Sequence, residues 1–160
     1  MRYLGQTSNA FVLTAASSAP GIATANSSGS GPAAIINYNA DGSTSFNSPT
    51  NPAAKGTYVA MWVTGEGLTT VAQANPSANT GKVTVAQATP PFTPQPLLPV
   101  GVLLDGQPVT PSFWGEAPGL IAGVMQVNFQ IPAGARTGDL PLVVMVGGNS
   151  SQSGVTVSVK

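Results

Sequence analysis

The chain has 160 residues, with five basic and five acidic side chains, no cysteine, no histidine and only 6% of its residues charged. That length suits a single domain burying roughly 70% of its unfolded surface. The scattered Arg2, Lys55, Lys82, Arg136 and Lys160 provide no basic footprint for nucleic acid. Composition also excludes disulfides, thiolate chemistry, Ser–His and Cys–His catalysis and imidazole-ligated zinc, and no apolar run approaches the ~18 residues of a membrane span.

Solubility must come from Ser, Thr, Asn, Gln and Gly, a balance that suits a secreted or cell-surface bacterial protein. The opening MRYLGQTSNAF lacks the apolar core of a signal peptide, so the export signal is expected outside this chain. Residues 5–15, GQTSNAFVLTA, place Phe11, Leu13 and Ala15 on one face of a short strand. The closing residues 148–160, GNSSQSGVTVSVK, place Val155, Val157 and Val159 in the same way, with one extra residue. Both segments run from Gly through Ser, Asn and Gln into alternation, so the first reads as the last strand of a preceding copy in a tandem array. Ser8, Phe11, Leu13 and Ala15 are therefore candidate assembly residues, pairing at a sheet edge.

From 20 to 52 the pattern predicts a hairpin, with a buried-type strand over AAIIN (33–37) and a turn over NADGS (39–43). Asn37, Asn39, Asp41 and Gly42 resemble the opening of a calcium loop, but Ser48 stands where its closing acid belongs. An Asp-Gly turn is the favoured reading, and no metal or cofactor is expected. GTYVAMWVTGEGL (56–68) is a strong strand with Val59, Met61 and Val63 on one face and Tyr58, Ala60, Trp62 and Thr64 on the other. Two apolar faces predict a central position, its aromatic side under a loop. Residues 73–99 turn polar, then proline-rich and extended. VGVLLDGQPVT (100–110) is a hairpin about Asp105-Gly106.

GVMQVNFQI (123–131) alternates strictly, with Met125, Val127, Phe129 and Ile131 inward and Gln126, Asn128 and Gln130 outward. LPLVVMV (140–146) follows after a Gly- and Pro-containing link, and the two are expected to pair antiparallel at the heart of a sandwich. Val127, Phe129, Ile131, Val59, Met61, Val63, Leu142, Val144 and Val102 form the predicted core. No stretch shows sustained helical periodicity, so the fold class is all-β.

GTYVAMWVTGEGL, LLDGQPV and QVNFQIPAGARTGDLPLVVMVGGNSSQSGVTVSV resemble the immunoglobulin-like TIG (IPT) domains. SSAPGI (17–22), AAIINYNADGS (33–43), NPAAKGTYVAMWVTGEGL (51–68) and APGLIAGVMQVNFQIP (117–132) resemble, nearly end to end, the uncharacterised C-terminal domain family of large secreted acidobacterial (Solibacter-type) proteins. The resemblance implies an immunoglobulin-like β-sandwich on an exported protein. It implies one domain over 1–160, with 1–50 an N-terminal strand and hairpin extension and 51–160 the TIG-like sandwich. It brings no catalytic residues with it.

Among the carboxylates, Asp41, Asp105 and Asp139 neighbour glycines in turns. Glu66 and Glu116, in apolar surroundings near Trp62 and Trp114, are the pair from which glycoside hydrolysis would have to be built. Lys55 or Lys82 with Glu66 would be needed for an isopeptide cross-link. Neither pattern carries a nucleophile and base, so no enzyme is expected. Two readings remain. One is a structural module associating through edge or terminal strands with its own kind. The other is a carbohydrate-binding module displaying Trp62, Trp114, Phe113 and Tyr58, since sugar rings stack on aromatic faces. Packing of Trp62 against Trp114 would favour the first.

Overall fold

A computed structural model describes residues 2–70 and 81–160. β1 (Arg2–Tyr3) and β2 (Gln6–Thr7) make a small antiparallel hairpin apart from everything else. The remaining strands form two six-stranded sheets. The first contains β3 (Gly21–Ile22), β5 (Ile35–Tyr38), β6 (Thr44–Phe46), β7 (Tyr58–Thr64), β10 (Pro111–Glu116) and β11 (Val124–Gln130), in the order β10-β11-β7-β5-β6 with β3 also on β7. The second contains β4 (Gly31–Pro32), β8 (Val100–Leu104), β9 (Gln107–Val109), β12 (Gly138–Val146), β13 (Asn149–Ser150) and β14 (Val155–Val159), in the order β4-β14-β12-β8-β9 with β13 on the end of β12. The fold is an all-β sandwich.

Period-two alternation decides the faces. Val59, Met61 and Val63 of β7 lie opposite Phe129, Val127 and Met125 of β11, and all are buried against Val102, Leu140, Leu142, Val144 and Val146 of the other sheet. Every residue of the predicted core is in this cluster. The strand over 56–68 is central, as its two apolar faces require, with β11 on one side and β3 and β5 on the other. The Asp105-Gly106 hairpin is present with φ of 53° and 75°, the paired left-handed residues that suit the twist of a two-residue turn.

The expected pairing of the strands over 123–131 and 140–146 is corrected. β11 pairs with β10 and β7, and β12 pairs with β8 and β14, so the two lie in different sheets. Each has an apolar face to bury, and facing one another across the interior buries both. Residues 131–137 span the ~10 Å between sheets. Arg136 ties this link to the β8–β9 turn through bonds of 2.6 Å to both Asp105 oxygens, and the guanidinium holds the Asp105 carboxyl below its ordinary value.

A boundary at residue 50 is also corrected. β3, β5 and β6 belong to the first sheet and β4 pairs with β14, so residues 18–50 are integral to the sandwich. Residues 2–16 stand outside it. Of the proline-rich stretch over 73–99, residues 73–80 lie outside the described residues; 81–99 run mostly without regular strand.

A buried polar bridge joins the sheets. Asn47 donates to Asn37 Oδ1 and Ser158 O at 2.9 Å each, and accepts from Ser158 N at 2.9 Å. Asn37 in turn donates to Asn51 O at 3.0 Å. The asparagine thus gives the first sheet a polar anchor on the second at a position alternation would assign to an apolar residue.

Candidate functional site

Three places on the molecule display chemistry beyond the core. The first is the outer face of the first sheet. Trp62 lies opposite Gln126, Ala60 opposite Asn128 and Tyr58 opposite Gln130. On the next strand Ile36 lies beside Ala60 and Tyr38 beside Tyr58, with Phe46 beyond Ile36. Phe113 on β10 flanks Asn128. Cross-strand partners share a face, so Phe113, Trp62, Tyr58, Tyr38 and Phe46 look outward together with the three amides. Tyr38 and Tyr58 are 42% and 45% exposed and Phe46 75%. Gln126 Nε2 donates to Asn128 Oδ1 at 2.9 Å, and Gln130 Nε2 to Gly56 O at 2.7 Å, which fixes two amides in place. These strand positions hold no acidic or basic side chain.

Trp114 does not belong to this face. It lies opposite Val127, an inward residue, and packs against the core. The two indoles are on opposite sides of the sheet, so they neither stack on each other nor form a common platform. Tyr38 and Phe46 take its place, and sequence reasoning missed them. The signal for Tyr38 was the phase of IINY, in which Ile36 and Tyr38 alternate with the inward Ile35 and Asn37, while Phe46 follows only from its register with Ile36.

The second place is the end of the sandwich at Gly65-Glu66-Gly67. Both glycines have positive φ, and both are crossed by the incoming chain. A Cβ at Gly65 would stand 1.8 Å from Ala19 O, and one at Gly67 2.2 Å from Ser17 O. Ala19 N donates to Gly65 O at 2.9 Å. Ser18 Oγ donates to Val146 O at 2.7 Å, while Asn149 Nδ2 reaches Ser18 O and Oγ at 3.0 Å each. Residues 17–19 therefore staple the end of β7 to the end of β12.

Between those glycines, Glu66 is 2% exposed and neither carboxylate oxygen has a hydrogen bond. Desolvation, reinforced by the Glu116 charge, pushes its pKa up from an ordinary 4.5 to about 7. Glu116 is 1% exposed and accepts from Thr84 Oγ1 at 2.7 Å. The structure does bring the two glutamates together. It also buries both, which leaves a polysaccharide no access to them. Lys55 and Lys82 are exposed, and Glu116 is the charged group that acts on Glu66. The calcium-loop residues separate: Asn37 is buried in the polar bridge, while Asp41 caps its own turn by accepting from Ser43 N at 3.0 Å and Oγ at 2.7 Å. Those two bonds hold the Asp41 carboxyl below its ordinary value. Among the described residues no three acidic side chains converge.

The third place is the N-terminal arm. Residues 8–16 form no strand within this chain, and Phe11, Val12 and Leu13 are 85%, 90% and 82% exposed. Ala15 is exposed as well. The assembly residues thus stand in solvent rather than at an edge of their own sandwich.

Comparison of the chain with protein-family models, with curated proteins and with solved structures finds no match.

Proposed function

We propose that the chain is a non-catalytic structural module of a secreted or cell-surface bacterial protein, a link that associates with sandwiches of its own kind through its N-terminal arm. The observation that carries this is the exposure of Phe11, Val12 and Leu13 on an arm attached to a sandwich whose own core is complete. Contiguous apolar side chains held in water mark an interaction segment. The staple at Gly65 and Gly67 supports the same reading, because it fixes the root of the arm to the body. The immunoglobulin-like character and the exported location are those the family resemblance implies, and the charge-poor, cysteine-free composition is in keeping with them. The experiment is deletion of residues 2–15, followed by light scattering over a concentration series and a melting curve. The full chain is expected to associate as concentration rises, and the shortened chain to stay monomeric with an unchanged melting temperature. Equal association by both would sink the proposal.

A second reading is favoured by one specific observation, the aromatic and amide face of the first sheet. Tyr58, Tyr38, Trp62, Phe46 and Phe113 supply ring faces, Gln126, Asn128 and Gln130 supply donors and acceptors, and the absence of charge suits a neutral glycan. Depletion of the protein from solution by an insoluble neutral polysaccharide, reduced at least tenfold by Tyr38→Ala with Tyr58→Ala, is the expected result. Retention by the polysaccharide that ignores both substitutions would remove this reading.

A further inference from the structure

The arm repeats a piece of the structure that the same chain already contains. At the far end, Met145 and Val146 of β12 pair with Ser150 and Asn149 of β13 across the Gly147-Gly148 turn. At the near end, Arg2 and Tyr3 pair with Thr7 and Gln6 across the Leu4-Gly5 turn. The registers are the same, two residues against two about a two-residue turn. Beyond the turn the side chains match in kind: Gln6 for Asn149, Thr7 for Ser150, Ser8 for Ser151 and Asn9 for Gln152.

Those polar residues have definite work at the far end. Asn149 holds Ser18, Ser151 exchanges bonds with Val144 at 2.8 and 3.0 Å, and Gln152 clamps Ile22 through its backbone N and O at 2.9 and 2.7 Å. The chain then bends at Ser153-Gly154, where the extra residue lies, and enters β14. There Val155, Val157 and Val159 are buried, with β12 antiparallel on one side and β4 and Ala53 parallel on the other. Phe11, Leu13 and Ala15 have the same spacing and no such neighbours.

We infer that residues 6–15 are the closing segment of a second sandwich of this fold, with Phe11, Leu13 and Ala15 taking the places that Val155, Val157 and Val159 take here. This rests on the assembly reading above and names its partner: a sandwich that lacks its own β13 and β14, both of which pair with β12 here. The slot is filled in each copy of this chain by residues 149–159, so complete copies accept the arm only by displacing that segment, at high concentration, and a sandwich with the slot open is the preferred acceptor. In the acceptor, Leu13 is to lie opposite the counterpart of Leu140 and Ala15 opposite the counterpart of Gly138, following the β12–β14 register. The link between the two sandwiches is then residues 16–19, short and stapled at Gly65 and Gly67, which sets their relative orientation instead of leaving it free.

The test places the arm in the slot. The full chain carrying V155F, T156V, V157L, S158T and V159A has the arm's FVLTA in β14; the bulk gained at 155 and 157 is offset only in part by that lost at 159. Its control carries the same five residues moved by one, as AFVLT, which turns Phe and Leu outward. The first is expected to melt cooperatively within about 10 °C of the unaltered chain, and the control to show no cooperative melt. A second variant ends at residue 146, leaving the slot empty and the arm in place. It is expected to form folded head-to-tail oligomers, which Leu13→Asp abolishes. Either positive result supports the assignment. It is overturned if FVLTA is no more stable than AFVLT and the shortened chain stays unfolded whatever residue 13 is. That failure leaves association of the unaltered chain through its arm untouched, so the two proposals fail separately.

Discussion

Residues 2–15 and residues 145–159 run through the same local sequence of structures, a two-residue ladder, a tight turn and an alternating apolar segment, yet one carries its apolar residues in water and the other buries them. The difference is not in propensity, since Phe11, Val12 and Leu13 are as suited to a strand as Val155 and Val157. It lies in neighbours. β14 has β12 on one side and β4 with Ala53 on the other, so every second side chain faces the opposite sheet. Burial of one such side chain is worth about 1.5–3 kcal/mol, and the arm obtains none of this from its own domain. Alternation states which face a strand will bury; only a vacant place in a sheet lets it do so.

The largest effects are therefore expected in the tail and the core it joins. Val157→Asp places a charge between two sheets with no counter-ion, and should abolish cooperative unfolding as followed by circular dichroism. Phe129, fully buried among Val59, Val127 and the β12 side chains, is expected to cost about 3–5 kcal/mol on truncation to alanine. A loss below about 1 kcal/mol in urea unfolding would mean that the interior is not organised around this ring.

Asn47→Ala comes next, because it strips Asn37 Oδ1 and Ser158 N of their buried partner. At about 1–3 kcal/mol for each orphaned group, a loss of about 2–6 kcal/mol is expected in the same assay. Asn47→Asp should be no better, since the Nδ2 donations to Asn37 and Ser158 are then lost and a carboxylate is left in the interior.

Glu66 gives a pH signature that neither end of the chain has. Its carboxyl is protonated more readily in the folded protein than in the unfolded one, so the native state binds the extra proton between pH 4.5 and about 7. Stability should therefore fall as pH rises through that window, by about 3 kcal/mol at most, and level off above it. Glu66→Gln is expected to flatten the profile, matching the unaltered chain near pH 5 and exceeding it at pH 8. Melting temperatures across that range check the sign; a rise of stability with pH in the unaltered chain would contradict it.

These residues also show what the sequence holds and what it withholds. The strand faces over 58–64, 124–130 and 140–146 were legible because period-two patterning reports burial directly. Partnership was not. A seven-residue link such as 131–137 serves a hairpin or a crossing between sheets equally well, and only competition from β7, β10, β8 and β14 decides for the crossing. The two tryptophans show the same limit: Trp62 sits in a readable strand, whereas Phe113 and Trp114 read as a loop, and only the pairing of β10 with β11 makes them a strand and turns Trp114 inward. Asn47 was illegible for another reason: a buried polar residue is defined by partners remote in sequence, here Ser158. Glu66 and Glu116 were legible as a pair in apolar surroundings, but their complete burial was not.

The smallest expected effect is the most telling about the two ends. Leu13→Asp introduces the same charge as Val157→Asp, at the corresponding place in the repeated pattern, but on a side chain that is already in water. Exposed substitutions away from special backbone positions usually change stability by under about 0.5 kcal/mol, so the isolated chain should melt as before. Its association at high concentration, in contrast, should weaken, because a carboxylate in the middle of the apolar triplet must be desolvated for the arm to enter any sheet. Chymotrypsin provides a second measure: cleavage at Phe11 should precede loss of the core fragment in both proteins. Should Leu13→Asp lower the melting temperature by several degrees, the arm is packing on its own sandwich and its separation from the tail is not real. Unchanged melting with reduced association is the outcome that makes the arm a segment built for a different body.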